Sequence, residues 1–404
     1  MPSFPGVLEQ SLLLQSAYPL AAPHRRLQPD PTSLSTLNWQ LVLKQARAHS
    51  TLPLLHRFLM QNPEWEPPEE VTAFLAGHVR EQSVTNLFQL RELLKMLDVL
   101  EAGGVHAIPF KGPILSAYLY GDVGLRPFSD LDILIAREDF AKAKALFLAH
   151  GYQSFRTFAP AQEDAFLDTQ MGYEFVRADE RVVFEVHWSF LNRVHTFRLD
   201  PLGVIERAQT VSVAGREVPL FEPGDMLLYL CAHGSKSFWE RLRWICDIAE
   251  LIVRHQDQDT IQTARKRARA IHAERMLLLG LNLAQHLLDV ELPGDLRQDL
   301  RLDGTVKQMT NAVVQQLFTG MGLPSKYQLN FHLQMRERFR DRVPYYWHIV
   351  QLYMYGNEKD RALIALPPSL SFLYPLIKPF RLVRDMLGMT PAYSGDETGR
   401  SGIG

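Results

Sequence analysis

Between Phe110 and Ile135 the chain reads FKGPILSAYLYGDVGLRPFSDLDILI, and this stretch constrains the fold more than any other. It starts in a short apolar run, Val105 to Phe110, that reads as a strand. Gly112-Pro113 opens, and Gly121-Asp122 closes, a helical turn or two over Ile114 to Tyr120. Leu131 to Ile135 reads as a second strand. Residues i and i+2 of a strand share a face, so Asp130 and Asp132 project side by side while Leu131 and Ile133 point into a core. Two carboxylates so placed repel, and one protonates unless a cation lies between them. Mg²⁺ (or Mn²⁺) suits the pair, because a hard cation joins carboxylates to substrate phosphates.

A third carboxylate is available at Glu185, in the alternating run Val182-Val183-Phe184-Glu185-Val186-His187. Should that strand lie beside Asp130 and Asp132, the three acids could hold two metal ions roughly 3.5–4 Å apart, an arrangement suited to in-line phosphoryl displacement. His187 shares the face of Glu185 and reads as a metal-site neighbour, an acceptor base or a packed histidine. Trp188 reads as core. Upstream, Lys111-Gly112 sits at a strand-to-helix junction, where free N–H groups and the helix dipole favour an anion. Lys111 adds a point charge for a phosphate. Arg126 offers either a bidentate phosphate contact or a structural pair with Asp122 or Asp130.

The flanks are helical. Apolar residues at helical spacing run from Val84 to Leu100, ended by Gly103-Gly104, and a less regular helix covers Trp39 to Met60 before the Pro-rich break at Asn62 to Pro68. Glu138 to His150 is an amphipathic helix stopped by Gly151. Strands are expected at Tyr173 to Val176 and Arg181 to His187, and a hairpin at Thr210 to Phe221 turning at Ala214-Gly215. Helices follow from Pro223 to His233, Trp239 to His255 and Ala264 to Leu288. In them His233 and Lys236 share a face, as do Arg243 and Asp247, readable either as ion pairs behind a sheet or as one wall of a cleft.

The ordered set Lys111-Gly112, Tyr120, Arg126, Asp130-Leu131-Asp132-Ile133-Leu134-Ile135, Gly151-Tyr152, Glu185-Val186-His187-Trp188 and Arg241-Leu242-Arg243-Trp244 with Asp247 resembles the uncharacterised nucleotidyltransferase family. This is a bacterial group within the DNA polymerase β-like superfamily, and the likeness covers about residues 40 to 300. The resemblance implies an α+β fold, a small mixed β-sheet core flanked by N-terminal and C-terminal helical regions. It implies a metal-bound NTP and transfer of a nucleotidyl group, with the acceptor left open. On that pattern Asp130, Asp132 and Glu185 are expected as metal ligands and catalytic residues. Lys111, Gly112, Arg126, His187, His233 and Lys236 are expected on the nucleotide side. The superfamily usually carries Gly-Ser or Gly-Gly where this chain has Gly112-Pro113, and Pro113 supplies neither an N–H nor a hydroxyl. The expected organisation is a helical region over 1–104, the core over 105–221, a helical domain over 222–362 and an apolar, Pro-interrupted tail over 363–404.

Composition narrows the alternatives. Lys plus Arg is 43 and Asp plus Glu is 45, so the net charge of −2 gives no overall reason to bind nucleic acid. The two cysteines, Cys231 and Cys246, suggest neither a zinc site nor a disulfide framework, and fit a cytoplasmic setting. No run of ~18 uncharged apolar residues predicts a spanning helix. A glycosyltransferase binding a nucleotide sugar through Asp-x-Asp is disfavoured, because only about 25 residues separate the first candidate strand from Asp130, where such enzymes usually carry a longer nucleotide-binding domain. A degenerate, non-catalytic scaffold finds its support in Pro113.

Overall fold

The computed structural model describes residues 7–20, 36–154, 166–177, 182–255, 259–319 and 325–354, with Leu370, Leu373, Tyr374, Leu376 and Ile377 beyond them. The expected apolar tail falls largely outside the described residues. The N-terminal helices are α1 (Val7–Ser16), α2 (Trp39–Ala48), α3 (Leu52–Gln61) and α4 (Glu69–Ala102). The single helix expected over Trp39 to Met60 is two, because Ser50 takes a left-handed φ of 57° and Pro53 sits in the first turn of α3. Helix α4 is longer than its apolar stripe suggests. Its first half buries only Val71 and Leu75, so the periodicity there is sparse. Acidic Glu69 and Glu70 favour its N-terminus, and Gly104 at φ 71° ends it.

The central unit comprises β1 (Ile108–Pro109), α5 (Gly112–Tyr120), β2 (Leu131–Leu134), α6 (Phe140–Ala149), β3 (Gln153–Ser154), β4 (Gly172–Arg177) and β5 (Val182–His187). These strands form one sheet in the order β1-β2-β5-β4-β3. Strands β2 and β5 run parallel, and the other pairs are antiparallel. The sheet is therefore mixed and the fold is α+β. Strand β1 is shorter than the apolar run that predicts it, since Pro109 has no N–H to extend a ladder.

One face of the sheet is a core of aromatic rings. Leu131, Ile133, Phe175, Phe184 and Val186 are fully buried there. Phe147 of α6 stacks on Phe175 at 4.6 Å and meets Phe184 edge-on at 5.1 Å. Alternation sends Asp132 and Glu185 to the other face.

The chain continues through α7 (Pro201–Glu206) and a hairpin of β6 (Gln209–Val213) and β7 (Arg216–Leu220). Ala214 and Gly215 turn it with positive φ values of 52° and 77°, the requirement of a tight primed turn. Helices α8 (Pro223–Lys236), α9 (Leu242–Arg254), α10 (Thr260–Ala270), α11 (Glu274–Leu288), α12 (Gly294–Leu302), α13 (Gly304–Thr319), α14 (Ser325–Met335) and α15 (Phe339–Met354) follow. The helix expected over Ala264 to Leu288 is broken at His272, which takes φ 56°. Cys231 and Cys246 are free and buried. Among the described residues no helix is long and apolar enough to cross a membrane.

The Glu250 carboxylate of α9 accepts the Leu20 N–H at 2.8 Å, tying the N-terminal segment to the C-terminal helices. Burial pushes its pKa up to about 7 from 4.5. The folded state thus holds a proton that the unfolded chain releases in between, so this residue's contribution to stability falls as pH rises from 4.5 to 7. Glu250→Gln is expected to flatten that slope, by at most about 3 kcal/mol, in urea unfolding at pH 5 and pH 8. Equal wild-type and variant slopes count against it. Phe147→Ala is expected to cost about 3–5 kcal/mol in the same assay, because it opens a cavity between α6 and the sheet.

Candidate active site

Asp132 is the most deeply placed acid of the central sheet. Its side chain is 1% exposed, and one oxygen, Oδ1, accepts from Lys111 Nζ at 2.9 Å and from His187 Nε2 at 3.0 Å. The other oxygen, Oδ2, is buried with no hydrogen-bond partner. In the parallel ladder Asp132 pairs with Glu185, and Leu134 pairs with His187. His187 Nε2 lies 3.2 Å from Glu185 Oε2, so the imidazole is wedged between two carboxylates.

The electrostatics follow from this packing. Burial pushes the Asp132 carboxyl up, but the Lys111 ammonium and His187 outweigh it and hold the group well below the usual carboxylate range. Burial also raises Glu185, and His187 reverses that, so its pKa ends lowered. His187 itself is lowered by burial and raised more by Glu185 and Asp132. Its Nδ1 is buried without an acceptor, which opposes full protonation of the ring. Asp130, just before β2, is raised by burial and then by Asp132.

Among the described residues, Asp132, Glu185 and His187 form a group whose potential ligand atoms all lie within 4.8 Å of one another. Asp130 acts electrostatically on this group but lies outside it. The donor set of two carboxylates and an imidazole suits a divalent cation, and the unpartnered Oδ2 is a lone pair ready for one. The residues therefore fit a metal.

Lys111 is the residue preceding α5, and its ammonium also lies over the Phe110 and Tyr229 rings at 5.5 and 5.7 Å. Gly112 has φ 58°, a left-handed conformation, and a Cβ there would meet the Asp130 carbonyl at 3.5 Å. Pro113 falls in the first turn of α5, where a missing N–H breaks no helical bond.

Arg126 turns elsewhere. It is 4% exposed, and its Nε donates to both Asp247 oxygens at 3.1 and 3.0 Å, while Tyr120 donates to the same carboxylate at 2.9 Å. Arg243 donates to the Pro127 carbonyl at 2.6 Å. The structural pair expected for Arg126 with Asp122 or Asp130 forms instead with Asp247 of α9, and the hydrogen bond of Arg243 goes to a backbone carbonyl. His233 packs against Tyr229 and edge-on against Trp244, at 6.0 and 5.4 Å, and burial lowers its pKa. Lys236 is lowered by burial and by Lys111, with Glu185 and Asp132 acting in the opposite direction. It forms no ion pair among the described residues.

A family match gives this geometry its setting. The model of the "Uncharacterised nucleotidyltransferase" family matches residues 35–289. The chain belongs to that family. Comparison with curated proteins finds no match. Among solved structures, this nucleotidyltransferase is similar to the antibiotic-resistance factor ANT(2'')-Ia, at 12% identity and a TM-score of 0.34 over 47% of this chain and 96% of that one. It is also similar to an antigenic nucleotidyltransferase-like protein from Paracoccidioides brasiliensis, at 13% identity and a TM-score of 0.26 over 52% of this chain and 93% of that one.

Three features of this nucleotidyltransferase escape a reading by motif. Gly172 pairs with His187 across β4 and β5, and a Cβ there would lie 3.0 Å from His187 Nδ1 and 3.1 Å from the Val186 carbonyl. Asn86 of α4 donates to the Val123 and Arg126 carbonyls at 2.7 and 3.2 Å, bracing the loop before Asp130. Glu174 pairs with Glu185. Only strand register reveals the first and third, and the second joins residues far apart in sequence.

The Arg126–Asp247 pair is buried, so removing one partner strands the other. Asp247→Ala is expected to destabilise the protein by about 3–5 kcal/mol in denaturant unfolding. A change under about 1 kcal/mol would show that the pair is dispensable to the fold.

Proposed function

We propose that this chain moves a nucleoside monophosphate from an NTP to a hydroxyl acceptor with release of pyrophosphate, at a divalent-metal site built on Asp132, Glu185 and Asp130. The observation that carries the reading is the β2–β5 register. It sets Glu185 beside an Asp132 whose Oδ2 is buried and unpartnered. Family membership supports the reaction class.

Asp132 and Glu185 would hold Mg²⁺ or Mn²⁺, with His187 against both carboxylates and Asp130 at the margin. A divalent ion there supplies positive charge to the triphosphate and to the attacking oxygen. Lys111 and Lys236 add cationic charge for the phosphates, and the Gly112 amide adds a donor at the start of α5. With Arg126 engaged by Asp247, these two lysines carry the triphosphate role. His187 keeps Glu185 ionised, and Glu185 accepts the proton of the acceptor hydroxyl. The acceptor oxygen then bonds to the α-phosphorus as the bond to pyrophosphate breaks. His233 of α8 meets Trp244 of α9 edge-on, and the pair would wall the site on that side. The catalytic core lies within residues 105–221, and a cytoplasmic location follows from the same reading.

The test is incubation of purified protein with each α-labelled NTP and Mg²⁺ or Mn²⁺, using cell extract as acceptor. Label transfer is expected in the wild type and a loss of about 100-fold or more in Asp132→Asn and in Glu185→Gln. Transfer that persists in both variants removes the mechanism.

A further inference from the structure

Helix α15 has two apolar faces, and the fold uses one of them. Tyr345 is buried, 5.2 Å from the His332 ring of α14 and under the Arg336 guanidinium at 4.2 Å. That face fixes the helix against α14. Nearly opposite it, Phe339, Val343, Tyr346, Trp347 and Val350 are between 45 and 76% exposed. At about 3.6 residues per turn their spacing gathers them into one stripe about 100° wide. A surface helix ordinarily packs such a stripe into the core and turns a polar side to water. Here an aromatic stripe meets water. Single exposed apolar residues need no account, but five on one stripe do.

The charges are arranged around the stripe. Helical periodicity puts Arg340 on one border and Arg342 on the other, and Arg338 directly precedes the helix. Arg340 is exposed, and Arg338 and Arg342 are half-buried. Asp341, the one acid of α15, falls on the far side from the stripe. A second stretch repeats this composition. From Leu363 to Arg384 the sequence is largely apolar, carries Lys378, Arg381 and Arg384, and has no acid. Most of it lies outside the described residues, but Leu370 and Leu376 lie within them and are 41 and 66% exposed. A chain of net charge −2 thus joins apolar surface to positive charge in two neighbouring segments.

We propose that α15 docks on an anionic lipid bilayer, with Phe339, Tyr346 and Trp347 among the outer acyl chains and Arg338, Arg340 and Arg342 at the lipid phosphates. Trp and Tyr suit that depth, where the ring is in hydrocarbon and its N–H or O–H reaches water. Arginines bordering an apolar stripe extend their heads to the same level. A second copy of the chain fits the stripe less well, because a two-fold contact there brings the arginine borders together. The stretch from Leu363 to Arg384 fits it less well for the same reason, since it too carries only cations. Attachment to a surface is firm when two signals act together, and that stretch supplies the second. No helix among the described residues is long and apolar enough to cross a membrane, and this one needs only to lie on it. The proposal is independent of the nucleotidyl-transfer reading.

The test is flotation of the full chain with vesicles of phosphatidylcholine, alone or with about 30% phosphatidylglycerol. Wild-type protein is expected to float with the anionic vesicles at least about fivefold more than with the neutral ones, and to lose that excess in about 0.5 M salt. Tyr346→Ser combined with Trp347→Ser should cut the floated fraction about tenfold, while Trp347→Phe keeps it. Arg340→Glu should reduce the preference for anionic vesicles, and it decides alone should the serine pair lower the unfolding temperature. Equal flotation with both vesicles, flotation unchanged in the serine pair, or a preference unchanged in Arg340→Glu overturns the proposal. Flotation that survives the serine pair and disappears in Lys378→Glu with Arg381→Glu assigns the attachment to the other segment and removes it from α15. A lipid-free dimer in light scattering that the serine pair dissolves makes the stripe a contact between copies, which also overturns the proposal.

Discussion

A carboxylate sealed from water is costly unless charge and hydrogen bonds surround it, and Asp132 sets that condition for the centre of this molecule. Lys111 must reach it from the start of α5, and His187 must reach it from β5. Those two demands fix how α5 and β5 lie against β2. The parallel β2–β5 pairing delivers the histidine and the glutamate together, because residues two apart on a strand share a face. Gly172 completes the arrangement from β4 by leaving room for the imidazole. Charge satisfaction at one residue thus accounts for the relative placement of four elements.

The loop leading into Asp130 is held from both sides. Asn86 of α4 takes two of its carbonyls, and α9 contributes Asp247 to Arg126 and Arg243 to the Pro127 carbonyl. The helical regions therefore do more than cover the sheet. They lock the segment that aims the Asp130 and Asp132 carboxylates, and preorganisation of that kind keeps a site within reach of a productive geometry. It also explains the fate of Arg126. A guanidinium at 4% exposure needs a carboxylate, and Asp247 is the one beside it.

The legible part of this protein was its local chemistry. Asp-x-Asp on a strand, Glu185 on an alternating strand and Gly112 at a strand-to-helix junction are short-range patterns, and the register joins two of them at Asp132 and Glu185. Arg126 was open between phosphate and ion pair, because its partner lies on a helix more than a hundred residues away, and Asp122 and Asp130 were nearer in sequence. Glu174 was invisible for the same reason, since an exposed glutamate in a strand means nothing until its cross-strand neighbour is known. Helix ends depart from the periodicity where one residue takes a left-handed φ, as at Ser50 and His272, because neither residue type signals it.

Pro113 was the strongest sequence argument against a working site, and the geometry weakens it. A serine at that position would offer a hydroxyl and an amide to a phosphate, and proline offers neither. Yet Pro113 lies in the first turn of α5, where its fixed φ favours the helix and no intrahelical bond is lost. The preceding Gly112 keeps its own amide and a left-handed conformation that lets the turn pass close to the Asp130 carbonyl. The cationic charge that a phosphate needs is present in Lys111, which already bonds Asp132, and in Lys236 of α8, whose charge is felt by the same acids. On the proposed reading, the grip passes from backbone and hydroxyl donors to ammonium groups. Ammonium groups on long side chains are less directional than amides, so on that reading the orienting of a triphosphate falls to the metal that the fixed carboxylates would hold rather than to the turn.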